Sequence, residues 1–209
     1  MTSVSPKFSS VPGNPSPARL NATIEGTDKR DRILDAAQRL FVRYGVKRTA
    51  LDDVVREAGI AKGTLYLYFD SKDALFAAVA ERLCAEVLRN AEEAIASSSS
   101  ITPRIVGCLD ACIGAMHRLT YQSPHIAELT ESKEALATAI YGTFNRKMRD
   151  LLQKVLSDDG IERRDAVDMF FAAALGTLKT GDCAAKPYRA RLTAVTDILV
   201  AGLRHSGPR

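Results

Sequence analysis

The segment from Ala58 to Phe69 carries the side chains of this chain best suited to binding chemistry. Ammonium, hydroxyl and phenol groups hydrogen-bond to phosphate oxygens and to base edges, and apolar groups among them pack on thymine methyls. Such groups recur along the segment at Lys62, Thr64, Tyr66 and Tyr68. The segment therefore has the chemistry of a nucleic-acid contact, and neighbouring elements must hold these side chains at the surface.

Two short helices around a glycine would present those side chains. A first helix from about Leu51 to Ala58 has an apolar face, Gly59 supplies a sharp turn, and a second helix runs from Lys62 to Phe69. This pair is the helix-turn-helix arrangement. We expect Leu65 and Phe69 to pack in the core, which leaves the rest of the second helix facing outward.

Longer amphipathic helices flank this pair. Before it, apolar residues recur at helical spacing over Ile33–Phe41, with Thr27 as the expected start and Gly45 as the end. After it, Ser71 is placed to cap a helix that runs to about Asn90. That helix is long enough to leave the small domain and connect it to the rest of the chain.

The stretch from about Thr27 to Val87 resembles the DNA-binding domain of the TetR family. The resemblance is carried by the Ile33–Phe41 helix, Gly45, Asp53-Val54-Val55, Ala58-Gly59-Ile60, Lys62-Gly63-Thr64-Leu65-Tyr66, Tyr68-Phe69, Ser71-Lys72 and Ala74-Leu75. One glycine turn is a weak signal, but this combination in this order is specific. It implies a three-helix DNA-binding head, an all-helical ligand-binding body and a homodimer built from the last two helices.

On the family's pattern the second short helix is the recognition helix. The DNA-binding residues that the resemblance implies are Thr49, Lys62, Gly63, Thr64, Tyr66, Tyr68 and Lys72. Among them, Lys72 aligns with a lysine that meets phosphate at the start of the next helix. Ala50 and Ala61 depart from the pattern, because a Thr or Ser often stands at each position. We expect Thr49 to cap the first short helix in place of Ala50.

Beyond the serine run Ser97–Ser100 the sequence predicts further helices at about 103–121, 124–132, 134–157, 162–180 and 188–205. No alternating pattern typical of strands occurs, so we predict an all-α fold. A ligand pocket between these helices would use bulky side chains, although core packing competes as an explanation for each. The candidates are Met116, His117, Tyr121, Tyr141, Phe144, Met148, Phe170 and Phe171.

The last two predicted helices mix large apolar residues with alanine and glycine. Small residues allow helices to approach closely, as in a four-helix dimer interface. The expected interface residues are Leu175, Leu178, Leu192, Val195 and Leu199. An intramolecular core is the alternative, and the family resemblance alone favours the dimer.

Metal and redox chemistry have weaker support. Cys108 and Cys112 share one helix face, but free cysteine commonly packs as a small apolar residue. A metal-binding face over His117–His125 would include Pro124, which interrupts the helix. No phosphate-binding glycine loop, nucleophile elbow or paired His and carboxylate motif occurs. We therefore predict no metal, no cofactor and no enzymatic activity, and expect a small-molecule effector.

The charge distribution agrees with contact to phosphates. Of the 209 residues, those between Lys29 and Lys72 include ten Lys or Arg against six Asp or Glu, which accounts for the net charge of +4. With 46% hydrophobic and 26% charged residues the composition is that of a globular protein. No apolar run could span a bilayer and no signal-peptide profile occurs, so we predict a cytoplasmic protein without a membrane partner.

The sequence predicts three regions: a disordered tail over 1–26, a helix-turn-helix domain over 27–87, and a ligand-binding and dimerisation domain over 88–209. The resemblance implies a homodimeric transcriptional regulator that binds a near-palindromic operator in double-stranded DNA. Repression with release by a small molecule is the family's usual mode. The alternative is a DNA-binding regulator controlled by cysteine oxidation or by a protein partner.

Overall fold

The computed structural model describes residues 17–122, 134–179 and 187–205, with side chains described over 28–118, 139–178 and 187–205. All regular structure in these ranges is helical, which confirms the predicted all-α fold. None of the described helices is long and apolar enough to cross a bilayer. Some predictions lie outside the described residues. They concern residues 1–16, the helix at 124–132, His125, and residues 181–186 between the last two predicted helices.

Most helices begin and end close to their predicted bounds. They are α1 (Pro17–Tyr44), α2 (Leu51–Ala58), α3 (Lys62–Tyr68), α4 (Lys72–Ala96), α5 (Ile101–Leu109), a π-helical turn (Asp110–Gly114), α6 (Ala115–Gln122), α7 (Glu134–Asp158), α8 (Ala166–Lys179) and α9 (Tyr188–His205). Helix α1 begins before Thr27, so it covers residues 17–26, which the sequence pattern assigned to the disordered tail. Proline is well suited to the first helical position because its missing N–H would be unpaired there.

A first apolar core holds α1, α2, α3 and the beginning of α4 together. Its largest buried side chains include Phe41 of α1, Leu65 of α3 and Phe76 of α4. Phe69 is buried in the same core, so both residues of the second short helix that were predicted to be core are confirmed. Burial of Leu65 anchors α3 on one side and leaves its opposite side at the surface.

A second apolar core lies in the body, and α4 contributes to both. Phe76 and Val79 of α4 pack in the head, whereas Ala91, more than three turns further along the same helix, packs in the body core around Leu152 and Phe170. Because α4 is one continuous helix, a shift of its body end must displace its head end.

Candidate nucleic-acid interface and ligand cavity

The turn between α2 and α3 is set by Gly59 and covered by Arg32. Gly59 has a left-handed backbone with φ of 64°, which favours glycine. The guanidinium of Arg32 donates to the carbonyl of Ala58 at 2.7 Å and so satisfies an acceptor at the end of α2. A Cβ at position 59 would lie 3.2 Å from an Arg32 nitrogen. The two residues together determine how α3 is held against α2 and α1.

The outward side of α3 combines phenol, amine and apolar groups. Lys62 and Gly63 are exposed, Tyr66 is 45% exposed, and Thr64 and Tyr68 are half-buried. Leu67 is 84% exposed, and sequence reasoning did not select it. The available signal was its position two residues after the buried Leu65, which puts it on the opposite side of the helix.

The predicted roles of Thr49 are wrong. Its side chain is buried, and its hydroxyl donates to the carbonyl of Gly45 at 2.8 Å, so it neither faces DNA nor caps α2. The N–H of Ala50 instead donates to the carboxylate of Asp53 at 3.1 Å at the start of α2. Carbonyls at the end of a helix and in the loop after it have no helical N–H to accept from. The Thr49 hydroxyl turns inward and donates to one of these, the carbonyl of Gly45.

A basic surface lies where α4 meets the turn after α1. The Ser71 hydroxyl accepts from the N–H of Ala74 at 3.0 Å, which confirms its predicted cap. The ammonium of the next residue, Lys72, donates to the carbonyl of Lys47 at 3.1 Å. Lys72 therefore lies against a turn in which the side chains of Lys47 and Arg48 are exposed.

Carboxylates of α2 pair with basic residues of the head, a feature that the net charge conceals. The pairs are Asp52 with Lys62 at 2.8 Å, Asp53 with Arg56, and Glu57 with Arg39 at 3.0 Å. The Asp52 carboxylate raises the pKa of the Lys62 ammonium above its ordinary value. The start of α3 is thus an ion pair and not a lone cation.

The body contains a cavity of about 580 Å³ between α4, the π-helical turn, α6, α7 and α8. Four predicted pocket residues line it: Met116, His117, Tyr141 and Phe144. The α4 residues Leu83, Cys84 and Val87 form another wall, which the sequence assigned only to the linking helix. None of the described residues that line the cavity is charged, and its polar groups belong to His117, Tyr141, Asn145 and two thiols. The cavity suits an uncharged, mainly apolar molecule.

The other predicted pocket residues lie elsewhere. Met148 and Phe170 are fully buried in the body core, so their assignment to the pocket is wrong. Phe171 is half-buried, and the guanidinium of Arg149 lies 5.7 Å from its ring centre. The side chain of Tyr121 lies outside the described residues. Helical periodicity identifies apolar side chains but does not show which of them border empty space.

The described cysteines are thiols in an apolar environment. Cys84 and Cys112 line the cavity, and Cys108 is buried in the body core. Burial raises the pKa of the Cys84 and Cys112 thiols to about 11 and that of Cys108 to about 12. All three are therefore uncharged at neutral pH. No group of three His, Cys, Asp or Glu residues suited to a metal ion occurs among the described residues.

A nearly buried carboxylate connects the cavity wall to α9. Asp110 begins the π-helical turn and accepts from the guanidinium of Arg118 on α6 at 2.9 Å and from that of Arg189 on α9 at 3.2 Å. Burial and the charge of Asp110 raise the pKa of the neighbouring Tyr188 phenol to about 12. The segment that forms one wall of the cavity is thereby joined to the last helix.

The exposed face of α8 and α9 differs from the predicted interface. Leu192 is 0% exposed within its own chain, so its assignment to the interface is wrong. Leu178 and Leu199 are half-buried and pack against the body core, and Val195 is half-buried. The large apolar side chains of these two helices that are exposed are Leu175, which also lines the cavity, and Ile198, which the sequence did not select. Around them the exposed residues include Ala172, Gly176, Ala194, Ala201 and Gly202.

Comparisons with known proteins find similarity to bacterial transcriptional regulators. Residues 33–79 match the family model described as bacterial regulatory proteins, tetR family. YhgD, an uncharacterised HTH-type transcriptional regulator of Bacillus subtilis, is 30% identical over 139 residues, which cover 65% of this chain and 70% of YhgD.

Solved structures show the same fold. A putative TetR-family regulator from Mesorhizobium loti superimposes with a TM-score of 0.66 at 18% identity, over 85% of this chain and 97% of that chain. SmeT, the repressor of a multidrug efflux pump of Stenotrophomonas maltophilia, has been solved with triclosan. That complex superimposes with a TM-score of 0.57 at 21% identity, over 83% of this chain and 90% of SmeT.

Proposed function

This chain belongs to the tetR family of bacterial regulatory proteins, and we propose that it acts as a homodimeric repressor which an uncharged small molecule releases from its operator. The observation that carries the DNA-binding part is helix α3, anchored by the buried Leu65 and exposing Tyr66 and Leu67 on the other side. A seven-residue helix contributes little to a core, so its exposed side chains are available for a partner. We place the protein in the cytoplasm, where bacterial operators lie.

The head offers separate groups for reading bases and for binding the backbone. Tyr66, Thr64 and the exposed Leu67 are suited to base edges and thymine methyls in the major groove, with Tyr68 beside them. Gly63 lets the backbone of α3 approach DNA closely, since nothing lies within 4 Å of a Cβ placed there. Lys72, with Lys47 and Arg48 beside it, is suited to phosphates on the flanking backbone.

Dimerisation follows from the size of the recognition helix and the face of α8 and α9. One short helix reads few base pairs, and two heads related by a two-fold axis read two half-sites one helical turn apart. Ile198 lies exposed among the alanines and glycine of α9, which permit the close helix approach of a four-helix interface. We therefore propose a near-palindromic operator.

Selection from a library of duplexes with a randomised centre tests the DNA-binding proposal. The wild-type chain should enrich a near-palindromic sequence. Tyr66→Ala should then lower its preference for that duplex over random DNA about tenfold or more, because a base contact is lost while the fold is kept. Tyr44→Ala is the matched control, since Tyr44 is 44% exposed at the end of α1 and lies outside α3. Full discrimination by Tyr66→Ala would reject α3 as the recognition helix.

The apolar cavity supports an uncharged effector. Its volume is that of a typical site for a small organic molecule, and its described lining contains no Asp or Glu carboxylate for a cation and no Lys or Arg side chain for an anion. SmeT, which shares the fold, was solved with triclosan. We accordingly propose hydrophobic, neutral molecules, with triclosan as a first probe.

Helix α4 and Tyr141 provide a route from the cavity to the head. Tyr141 lines the large cavity and also a small cleft against Phe41 and Phe76 of the head core. Arg82 on α4 binds Asp35 of α1 at 2.8 Å and also Gln38 at 2.7 Å. A ligand that moves the α4 wall or Tyr141 would thus move the head, and it favours release only if it prefers that displaced state.

Thermodynamic linkage tests release by a ligand. Typical coupling of about 1 to 3 kcal/mol corresponds to roughly 5- to 150-fold weaker ligand binding in the presence of operator DNA. Calorimetry with triclosan and a panel of neutral aromatic molecules, with and without the selected duplex, measures this factor. Equal affinities for every molecule that binds would reject release and leave a DNA-binding protein whose body serves dimerisation.

Control by cysteine oxidation is the second candidate, and the thiols support it less. The thiolate is the reactive form, and a pKa of about 11 at Cys84 and Cys112 leaves very little of it at neutral pH. A thermal-shift comparison with and without reductant separates the two candidates. A melting temperature that responds to oxidant and to no molecule of the panel would favour redox control.

A further inference from the structure

We propose that Asp52 is a positioning residue which directs the Lys62 ammonium to the acceptor edge of a guanine and away from the phosphate backbone. The inference rests on the proposed DNA-binding function of α3. It assigns a specificity-determining role to a carboxylate that the sequence pattern did not select. The chemical target is a neutral pair of acceptors, the guanine O6 and N7, in the major groove.

The geometry is an ion pair that joins the two helices of the motif. Asp52 lies in the first turn of α2 and Lys62 begins α3, and the Lys62 Nζ lies 2.8 Å from the Asp52 carboxylate. Both side chains are more than half exposed, so the pair lies at the surface that would meet DNA. The turn at Gly59, held by Arg32, sets the relative position of the two helices.

Electrostatics then separates the two possible targets of Lys62. An ammonium has three donors, so one hydrogen bond to Asp52 leaves donors for a further contact. A phosphate oxygen bound to the same ammonium would lie within a few ångströms of the Asp52 carboxylate, and the two negative charges repel each other. The guanine edge carries no net charge and meets no such repulsion. Asp52 therefore lowers the affinity of Lys62 for phosphate more than its affinity for the base.

The other acidic residues of α2 have different partners, which makes a matched control available. The Asp53 carboxylate accepts from the N–H of Ala50 at the start of the helix. Glu57, near the other end of α2, binds Arg39 of α1 at 3.0 Å. Glu57→Gln thus removes the same charge from the same helix as Asp52→Asn but leaves the Lys62 pair intact.

The test uses the duplex selected by the wild-type full-length chain, each single-base variant of it, and random DNA, over a range of salt concentrations. Lys62→Ala should lower the preference for guanine at one position per half-site about tenfold, with the salt slope unchanged. Asp52→Asn should lose the same preference while its salt slope steepens by about one per protomer, because the freed ammonium now binds phosphate. Glu57→Gln should keep the preference. Asp52→Asn in the Lys62→Ala background should add nothing to Lys62→Ala.

Each other outcome overturns the inference in a recognisable way. A Lys62→Ala variant with a shallower salt slope and full guanine preference would make Lys62 a phosphate contact. An Asp52→Asn variant indistinguishable from Glu57→Gln would leave Asp52 with a helix-end role only. A wild-type chain without any sequence preference would overturn the proposed function itself, and the inference with it.

Discussion

Leu67 on α3 and Ile198 on α9 are the most exposed large apolar side chains of the described residues, at 84% and 72%. Their surroundings differ. Leu67 follows Tyr66 on α3, the helix that Lys62 begins, whereas Ile198 lies among the small side chains of Ala194, Ala201 and Gly202 on α9.

Exposure alone does not identify the partner of an apolar side chain. An apolar group on a helix that also exposes a phenol and an amine suits the mixed edge of a DNA groove, where methyl groups and acceptors alternate. An apolar group surrounded by alanine and glycine suits another helix, which packs closely and excludes water. In the proposed function the head exposes apolar surface to DNA, and the body exposes it to a second copy of the chain.

The largest expected effect comes from a charge in the α8–α9 face. Ile198→Glu should convert the proposed dimer to monomers and weaken operator binding more than a hundredfold, because the interface would bury an unpaired carboxylate. Sedimentation velocity and operator titration measure both. Asn90→Glu, at an exposed position of α4, is the control. Leu199 is less suitable than Ile198, since it packs against the body core and its replacement would disturb the fold.

An Ile198→Glu variant that still dimerises with the wild-type dissociation constant would contradict this prediction. The exposed apolar face of α9 would then have no role in self-association, and the interface would lie elsewhere.

A smaller effect is expected from a charge in the cavity. Met116 lines the cavity and is partly exposed, so Met116→Arg should fold. The variant should bind neutral ligands about tenfold or more weakly than wild type, because an apolar ligand would displace the water that hydrates the guanidinium. Operator affinity without ligand should stay unchanged, since α3 is untouched. Calorimetry with triclosan measures the ligand affinity, and an operator titration measures the affinity for DNA. Asn90→Arg is the control for the added charge.

Ligand affinity equal to wild type in Met116→Arg would place the effector outside this cavity. Weaker operator binding without ligand would instead mean that a change in the cavity alters the DNA-binding head even when no ligand is bound.

The smallest expected effect is on the pH dependence of the free energy of unfolding, through a thiol buried in the body core. Burial raises the pKa of Cys108 from 9.0 to about 12, so above pH 9 the thiol ionises first in the unfolded chain and stability falls as pH rises. One such thiol contributes a slope of about 1.4 kcal/mol per pH unit. Cys108→Ala should make the decline of unfolding free energy between about pH 9.5 and 10.5 shallower by this amount. Urea titrations at several pH values measure the slope.

Cys84→Ala should change that slope to a similar extent near pH 10 and less as pH approaches 11, because the pKa of Cys84 rises only to about 11 and its thiol then also ionises in the folded chain. Identical slopes for wild type and Cys108→Ala would show that water reaches Cys108, against its complete burial in the body core.

The sequence alone determined the helical elements and the head. Gly59, Ser71 and the apolar spacing of Leu65 and Phe69 act through local backbone geometry and helical period, so the turn, the cap and the buried side of α3 were predicted as found. The combination of motif residues around them sufficed to indicate the family, which the comparisons then showed.

The packing of the helices against one another sets which side chains line a cavity, which form ion pairs and which are buried in the core of their own chain. Met148 and Leu192 have the same helical spacing as true pocket or surface residues, yet neighbouring helices cover them completely. The pairing of Asp52 with Lys62 and the inward turn of Thr49 likewise depend on how two segments are brought together. Periodicity reports one helix at a time, whereas a cavity, an ion pair and an exposed face are properties of several helices packed together.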